Sequence, residues 1–194
     1  MTITTAPRDD LFTHIHKALR LALFEITAQV SRTDWTNDAA ILEARDLWVP
    51  VLALLRAHTH HEDDCILRIL DAKDSRVNRR VAEEHIDLDD LLEDLANRFD
   101  QVVNDPNNSE GLDLYRDLAR FVAAYLPHLH EEETLVMTSI WDQCSDEEIA
   151  ATRAALMASM TPAVATTSLE YMVRALDPIT RDALLERVGP ASRA

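Results

Sequence analysis

Along four long stretches of the chain, apolar residues recur at steps of three and four, the spacing that puts side chains on one face of an α-helix. The first stripe reads Phe12, His16, Leu19, Leu23, Ile26, Val30 and predicts a helix from Asp9 or Asp10 to Arg32. The second reads Ala44, Trp48, Val51, Leu55, His58, Glu62, Ile66, Ile69, in a helix over 38–70 that Pro50 should kink. The third, Val77, Val81, His85, Leu88, Leu92, Leu95, Phe99, Val102, predicts a helix over 75–104. The fourth passes through Leu114, Leu118, Phe121, Tyr125, His128 and Glu132, continues at Leu135 or Val136, and reaches Ile140, in a helix over 109–143. Pro127 falls inside it, but the stripe keeps its phase on both sides, so the helix is read as kinked, not ended. The stretches SRTDWTND, DAKDS and DPNNS are connecting loops.

Beyond the fourth stripe, Ser145 with Glu148 forms a capping box that starts a further helix. Thr161–Pro162 and Asp177–Pro178 each read as an N-cap followed by a first-turn proline, so two more short helices follow. The expected fold class is all-α. A flexible N-terminus (1–8) leads into an antiparallel up-down four-helix bundle (9–143), with a C-terminal helical extension (144–190) packed on it. The presence of only 2 Gly among 194 residues agrees, because tight β-hairpins lean on glycine.

Four polar residues sit where the stripes call for core residues: His16, His58, His85 and His128. Two of them have a glutamate four positions on, Glu62 and Glu132, on the same helical face. Buried imidazoles and carboxylates are costly unless they pair or bind a metal. In an up-down bundle the six groups fall at similar depth and converge. Such a donor set suits iron, manganese or zinc. A single zinc needs only four ligands, so six, including two carboxylates able to bridge, fit two metal ions better.

Tyr125, one turn before His128, is a candidate to hydrogen-bond peroxide or solvent at such a site, or else a plain core tyrosine. His14, His60 and His130 lie off the stripes and read as surface residues, and Asp63, Asp64, Glu131 and Glu133 are expected to face solvent. Cys65 reads as a small packed residue.

The formal net charge of -16 disfavours nucleic acid and anionic membrane surfaces as partners. No run of about 18 apolar residues is present, so no membrane span is expected. The start MTITTAPRDD lacks an apolar signal core, and Cys65 and Cys144 show no CxxC spacing. A cytoplasmic protein is the expectation.

The stretches IHKALR, HTHHEDDCIL, EEHIDLDDLL and HLHEEETLVM, around His16, His58/Glu62, His85 and His128/Glu132, resemble the hemerythrin family, specifically its bacterial HHE cation-binding branch, over residues 9–142. The tail PAVATTSLEYMVRALDPITRDALLERV resembles a C-terminal helical extension of bacterial members. The resemblance implies a four-helix bundle around two iron ions, with the four histidines as terminal ligands and Glu62 and Glu132 as bridges. It implies a small ligand or substrate: dioxygen, nitric oxide or hydrogen peroxide. Catalase-like peroxide removal and iron or oxygen sensing are both represented. The family's oxygen carriers have an HxxxH pair on the third helix. Here Val81 stands four before His85, and His61, Glu84 and Asp89 are the candidates to replace the missing imidazole. That gap favours redox turnover or sensing over oxygen storage.

Overall fold

Asp10 sets where the first helix begins. Its Oδ1 accepts from the backbone N–H of Phe12 and of Thr13, both at 2.9 Å, and Thr13 Oγ1 donates to Oδ2 at 2.6 Å. A carboxylate that caps from outside leaves α1 at Thr13–Arg32, a few residues later than the stripe suggested. In the computed structural model, which describes residues 8–71, 73 and 75–189, the helices that follow are α2 (Asp38–His61), α3 (Ser75–Asn104), α4 (Asn108–Glu131), α5 (Met137–Gln143), α6 (Asp146–Ser159), α7 (Pro162–Ala175) and α8 (Pro178–Val188). No strand occurs among the described residues. The expected flexible N-terminus lies, apart from Arg8, outside them.

Five of the helices that follow start at a side-chain cap. Asn37 Oδ1 accepts from the N–H groups of Ala39 and Ala40 at 3.0 and 3.2 Å. Asn107 does the same for Glu110 at 3.0 Å. Ser145 and Glu148 form the reciprocal capping box, and Thr161 and Asp177 cap α7 and α8 ahead of their prolines. Pro50 and Pro127 both sit inside continuous α-helical segments.

The main departure from the sequence pattern is a pair of π-turns. They occupy Glu62–Ile66 and Glu132–Val136, and each opens on the glutamate of an HxxxE pair. A 3₁₀ turn, Leu67–Ile69, follows the first, and α5 follows the second. A π-turn hydrogen-bonds i to i+5 and so takes up an extra residue, which shifts the phase of whatever follows. After α4 the shift selects Val136 for the core and leaves Leu135 41% exposed. After α2 it replaces the expected Ile69, only half-buried, by Leu70, which is fully buried.

Helix α1 packs on α2, α4 and α7, and α3 packs on α2 and α4. The apolar side chains form two clusters. The larger contains Leu19, Leu55, Leu88 and Tyr125, each three residues from one of the four histidines. The smaller contains Phe12, Ile66, Val81 and Val136, each four residues from a histidine or glutamate of the set. The six polar groups therefore lie as one layer sealed between apolar layers. At the end beyond the smaller cluster, Arg8 donates to the carbonyls of Trp141 and Cys144, and Arg153 of α6 grips the Asp9 carboxylate and the Asp10 carbonyl. Tyr171 of α7 is buried in the larger cluster. No helix among the described residues is long and apolar enough to cross a membrane.

Gly111, in the first turns of α4, lies against Trp35. A Cβ there would meet Trp35 Cδ1 at 1.9 Å and Cγ at 2.5 Å. Helix propensity alone favours Gly111→Ala by about 1 kcal/mol. Overpacking beside a buried indole costs about 1–3 kcal/mol. Packing should win, so the urea midpoint of Gly111→Ala should fall, and a rise would show that the indole yields freely.

Candidate metal centre

The structure brings all six stripe-breaking residues together at the polar layer. His16 Nε2 lies 3.5 Å from Glu62 Oε1 and 3.5 Å from Glu132 Oε2, and His58 Nε2 lies 3.2 Å from Glu62 Oε1. His85 Nε2 lies 3.2 Å from Glu132 Oε1 and 3.7 Å from Glu62 Oε2, and His128 Nε2 lies 3.4 Å from Glu132 Oε1. The donors form two groups, His16/His58/Glu62/Glu132 and Glu62/His85/His128/Glu132, and within each group the ligand atoms lie within 4.8 Å of one another. Both glutamates belong to both groups. Each turns one oxygen toward the His16/His58 pair and the other toward His85/His128, the disposition of a carboxylate that bridges two cations.

Hydrogen bonding tests whether these residues fit such cations. All six are buried. Both ring nitrogens of His16, Nε2 of His58, both oxygens of Glu62 and Oε2 of Glu132 have no hydrogen-bond partner. An uncompensated buried charge costs several kcal/mol, and buried polar atoms in folded proteins rarely go unpaired. Two imidazole nitrogens and two carboxylate oxygens around each of two positions would satisfy these atoms with first-row transition ions. The residues fit a metal pair.

The carboxylates next to the glutamates depart from expectation. Asp63 places Oδ1 2.8 Å from His85 Nδ1, and Glu133 places Oε1 3.2 Å from His16 Nδ1. Glu133 is itself held by Arg20, at 2.6 and 3.1 Å. Asp63 is exposed but not idle, and Glu133 is half-buried, as is Glu131, which pairs with Arg80. Of the four acids expected to face solvent, Asp64 pairs with the exposed His60 and Arg68, and Glu131 with the exposed Arg80. The wider π-turn brings the residue after each ligand-type glutamate round to the neighbouring helix. Glu84 adds a third such contact, 3.1 Å from His128 Nδ1. A carboxylate on the outer nitrogen fixes the imidazole's orientation and keeps its Nε2 lone pair pointing inward. The shared motif, HxxxE followed by an acid, was the available signal for Asp63 and Glu133.

Electrostatics follow from this crowding. Burial opposes a charge on His16, but Glu133 and Glu62 outweigh it and push the imidazole up to about 9. His85 is pushed up to about 10, with burial again outweighed, here by Asp63 and Glu132. His58 is held well below its ordinary value by burial and by the imidazoles of His16, His85 and His128. Glu62 rises to about 8 through burial and the Glu132 carboxylate. Glu132 is lowered in spite of burial, because His85, His128 and His16 surround it. The layer thus shares protons among its own members, and a cation entering it would release some of them.

The candidate substitutes for a fifth imidazole do not converge with the six. His61 is buried but turns to the Ser159 backbone. Asp89 is exposed and accepts from Thr59. Glu84 stays on the outer side of His128, and Val81 is fully buried in the smaller apolar cluster. Of the off-stripe histidines, His60 and His130 are exposed and His14 is half-buried.

Tyr125 is buried beside His128, ring centroids 5.9 Å apart, and burial together with Glu62 and Glu132 pushes its phenol well above the usual range. Its hydroxyl has no partner.

The family model for the hemerythrin HHE cation binding domain matches residues 8–140. No curated protein and no solved structure gives a match.

An unpaired buried hydroxyl costs about 1–3 kcal/mol. In metal-free protein, Tyr125→Phe should therefore raise the unfolding free energy by about 1 kcal/mol, measured by denaturant titration. A loss of stability instead would reveal a partner for the hydroxyl within the fold.

Proposed function

Because the chain belongs to the hemerythrin HHE cation-binding family, we propose that its buried layer is a non-haem di-iron centre that binds or reacts with dioxygen, nitric oxide or hydrogen peroxide. The observation that carries this reading is the division of Glu62 and Glu132, one oxygen each to either imidazole pair. His16 and His58 hold one ion, His85 and His128 the other, and the glutamates bridge. Helices α1 to α4 with their π-turns form the antiparallel up-down bundle (9–143), and α6–α8 form the extension (144–190). Manganese or zinc can substitute in the same donor set. The free thiols Cys65 and Cys144 agree with a cytoplasmic setting.

When bound, the metal pair supplies one-electron and two-electron exchange with small oxygen and nitrogen species. The chain supplies the rest. Asp63, Glu84 and Glu133 orient the imidazoles. The two apolar layers keep bulk water from the donors. Val81, which cannot coordinate, leaves more of the coordination sphere to an exogenous ligand than the oxygen carriers' histidine would. Tyr125 places an unpartnered hydroxyl beside His128, on the face of the layer opposite Val81, where it can donate to a ligand bound on that side. This favours turnover over storage. In peroxide disproportionation one peroxide is oxidised to dioxygen while a second is reduced to water.

A second reading is an iron- or oxygen-sensing module, and one observation favours it. Helix α7 packs on α1 and α2, the helices that carry His16 and His58, so the extension touches half of the donor set's scaffold. Under this reading limited proteolysis within residues 160–189 should change when iron is added. An unchanged digestion pattern would retire it.

Aerobically purified protein should contain two irons per chain and show near-ultraviolet ligand-to-metal charge-transfer bands. Glu62→Ala should lose both ions, because both share that carboxylate. Oxygen evolution from peroxide should exceed that of free iron and collapse in His58→Ala. Rates equal to free iron would leave binding without catalysis, and absence of stoichiometric metal would remove the di-iron reading altogether.

A further inference from the structure

The two halves of the centre share their glutamates equally but are not supported equally. Behind His85 stands Asp63, and behind His128 stands Glu84. Behind His16 stands Glu133, 3.2 Å from Nδ1 but outside hydrogen-bond geometry, its charge already shared with the bidentate Arg20. Among the described residues no carboxylate lies within 4.0 Å of His58 Nδ1. The charged groups that bear most on His58 are the other imidazoles. The His85/His128 half therefore has two outer carboxylates, one of them, Asp63, in no other ion pair. The His16/His58 half has one, and Arg20 compensates it.

An outer carboxylate that accepts the Nδ1–H makes the imidazole a stronger donor at Nε2 and holds its ring in place, and losing one such partner weakens metal binding about 10–100-fold. We propose that the centre fills in a fixed order, the His85/His128 half first and tightly, the His16/His58 half second and weakly, with Asp63 and Glu133 as the positioning residues of the first and second steps. This rests on the dinuclear reading above. The second half is the exchangeable one. A chain short of metal then carries one ion, bound between α3 and α4 through His85, His128 and the two glutamates.

The arrangement also crosses the fold. Asp63 belongs to the π-turn after α2 but positions a histidine of α3, and Glu133 belongs to the π-turn after α4 but positions a histidine of α1. Glu62 and Asp63 are adjacent, so the segment that closes the first half also supplies a bridge to the second. Filling the first half fixes both glutamates before the second ion arrives.

The test is an anaerobic titration of metal-free, full-length protein with cobalt(II), followed by calorimetry and visible absorption. Wild type should bind two ions in separate steps whose dissociation constants differ at least about tenfold. Asp63→Asn should weaken the first step about 10–100-fold and Glu133→Gln only the second. Both acids sit at the margin of the core, and circular dichroism checks that the variants fold. Asp63→Glu should restore the first step, which a merely structural role would not require. His58→Ala should keep the tight step and lose the weak one, whereas His85→Ala should lose the tight step and leave at most the weak one. Two equal, simultaneous steps, or an Asp63→Asn effect confined to the weaker step, would overturn the order while leaving the dinuclear reading intact. Uptake of fewer than two ions by wild type would overturn the dinuclear reading, and the order with it.

Discussion

Two carboxylates and four imidazoles buried in one layer of a helical core are the constraint on which the rest of this protein depends. Glu62 and Glu132 are almost wholly withdrawn from water, and most of their oxygens have no hydrogen-bond partner in the fold. Neither charge can be left there uncompensated without a penalty that rivals the net stability of a domain. The apolar layers on either side raise the stakes, because they remove the water that would otherwise solvate these groups. Everything close to the layer can be read as a means of making that burial tolerable: imidazoles that share protons with the carboxylates, and a geometry in which two cations can be accepted.

The helices bend their own regularity to reach that geometry. Both π-turns begin at a glutamate of an HxxxE pair and nowhere else among the described residues. A π-turn forfeits ideal α-helical hydrogen bonding, and such turns are frequently found at functional sites. Here the gain is specific. In a regular helix the residue after the glutamate would diverge from the site by about 100°. In the wider turn it reaches the outer nitrogen of a histidine on the next helix. One short segment thus contributes a central donor and the support for another, and two such segments related by the repeated HxxxE pattern close the layer from opposite sides.

The outer carboxylates also make the two halves of the layer unlike. The central donors alone would make the two halves equivalent. Differences arise in the outer carboxylates and in Arg20, residues whose contacts cross from one helical segment to another. Small outer changes of this kind are a route by which one donor set could be tuned toward storage, turnover or sensing without altering a ligand.

Periodicity in the sequence was enough to turn the six polar groups inward, because an apolar stripe interrupted by His and an i+4 Glu has one reading in a helix: those groups face the core. It was enough as well for the helix starts at Ser145, Thr161 and Asp177, since capping is decided within a few residues. The local pattern could not choose between Leu135 and Val136, or see Leu70 take the place of Ile69, because a stripe tolerates steps of three or four and hides a one-residue insertion. Nor could it identify Asp63, Glu84 and Glu133 as partners of imidazoles, or exclude His61 and Asp89. Those contacts depend on how far apart neighbouring helices lie and how each is rotated about its axis. Packing of the whole core sets both quantities, and no single segment encodes them.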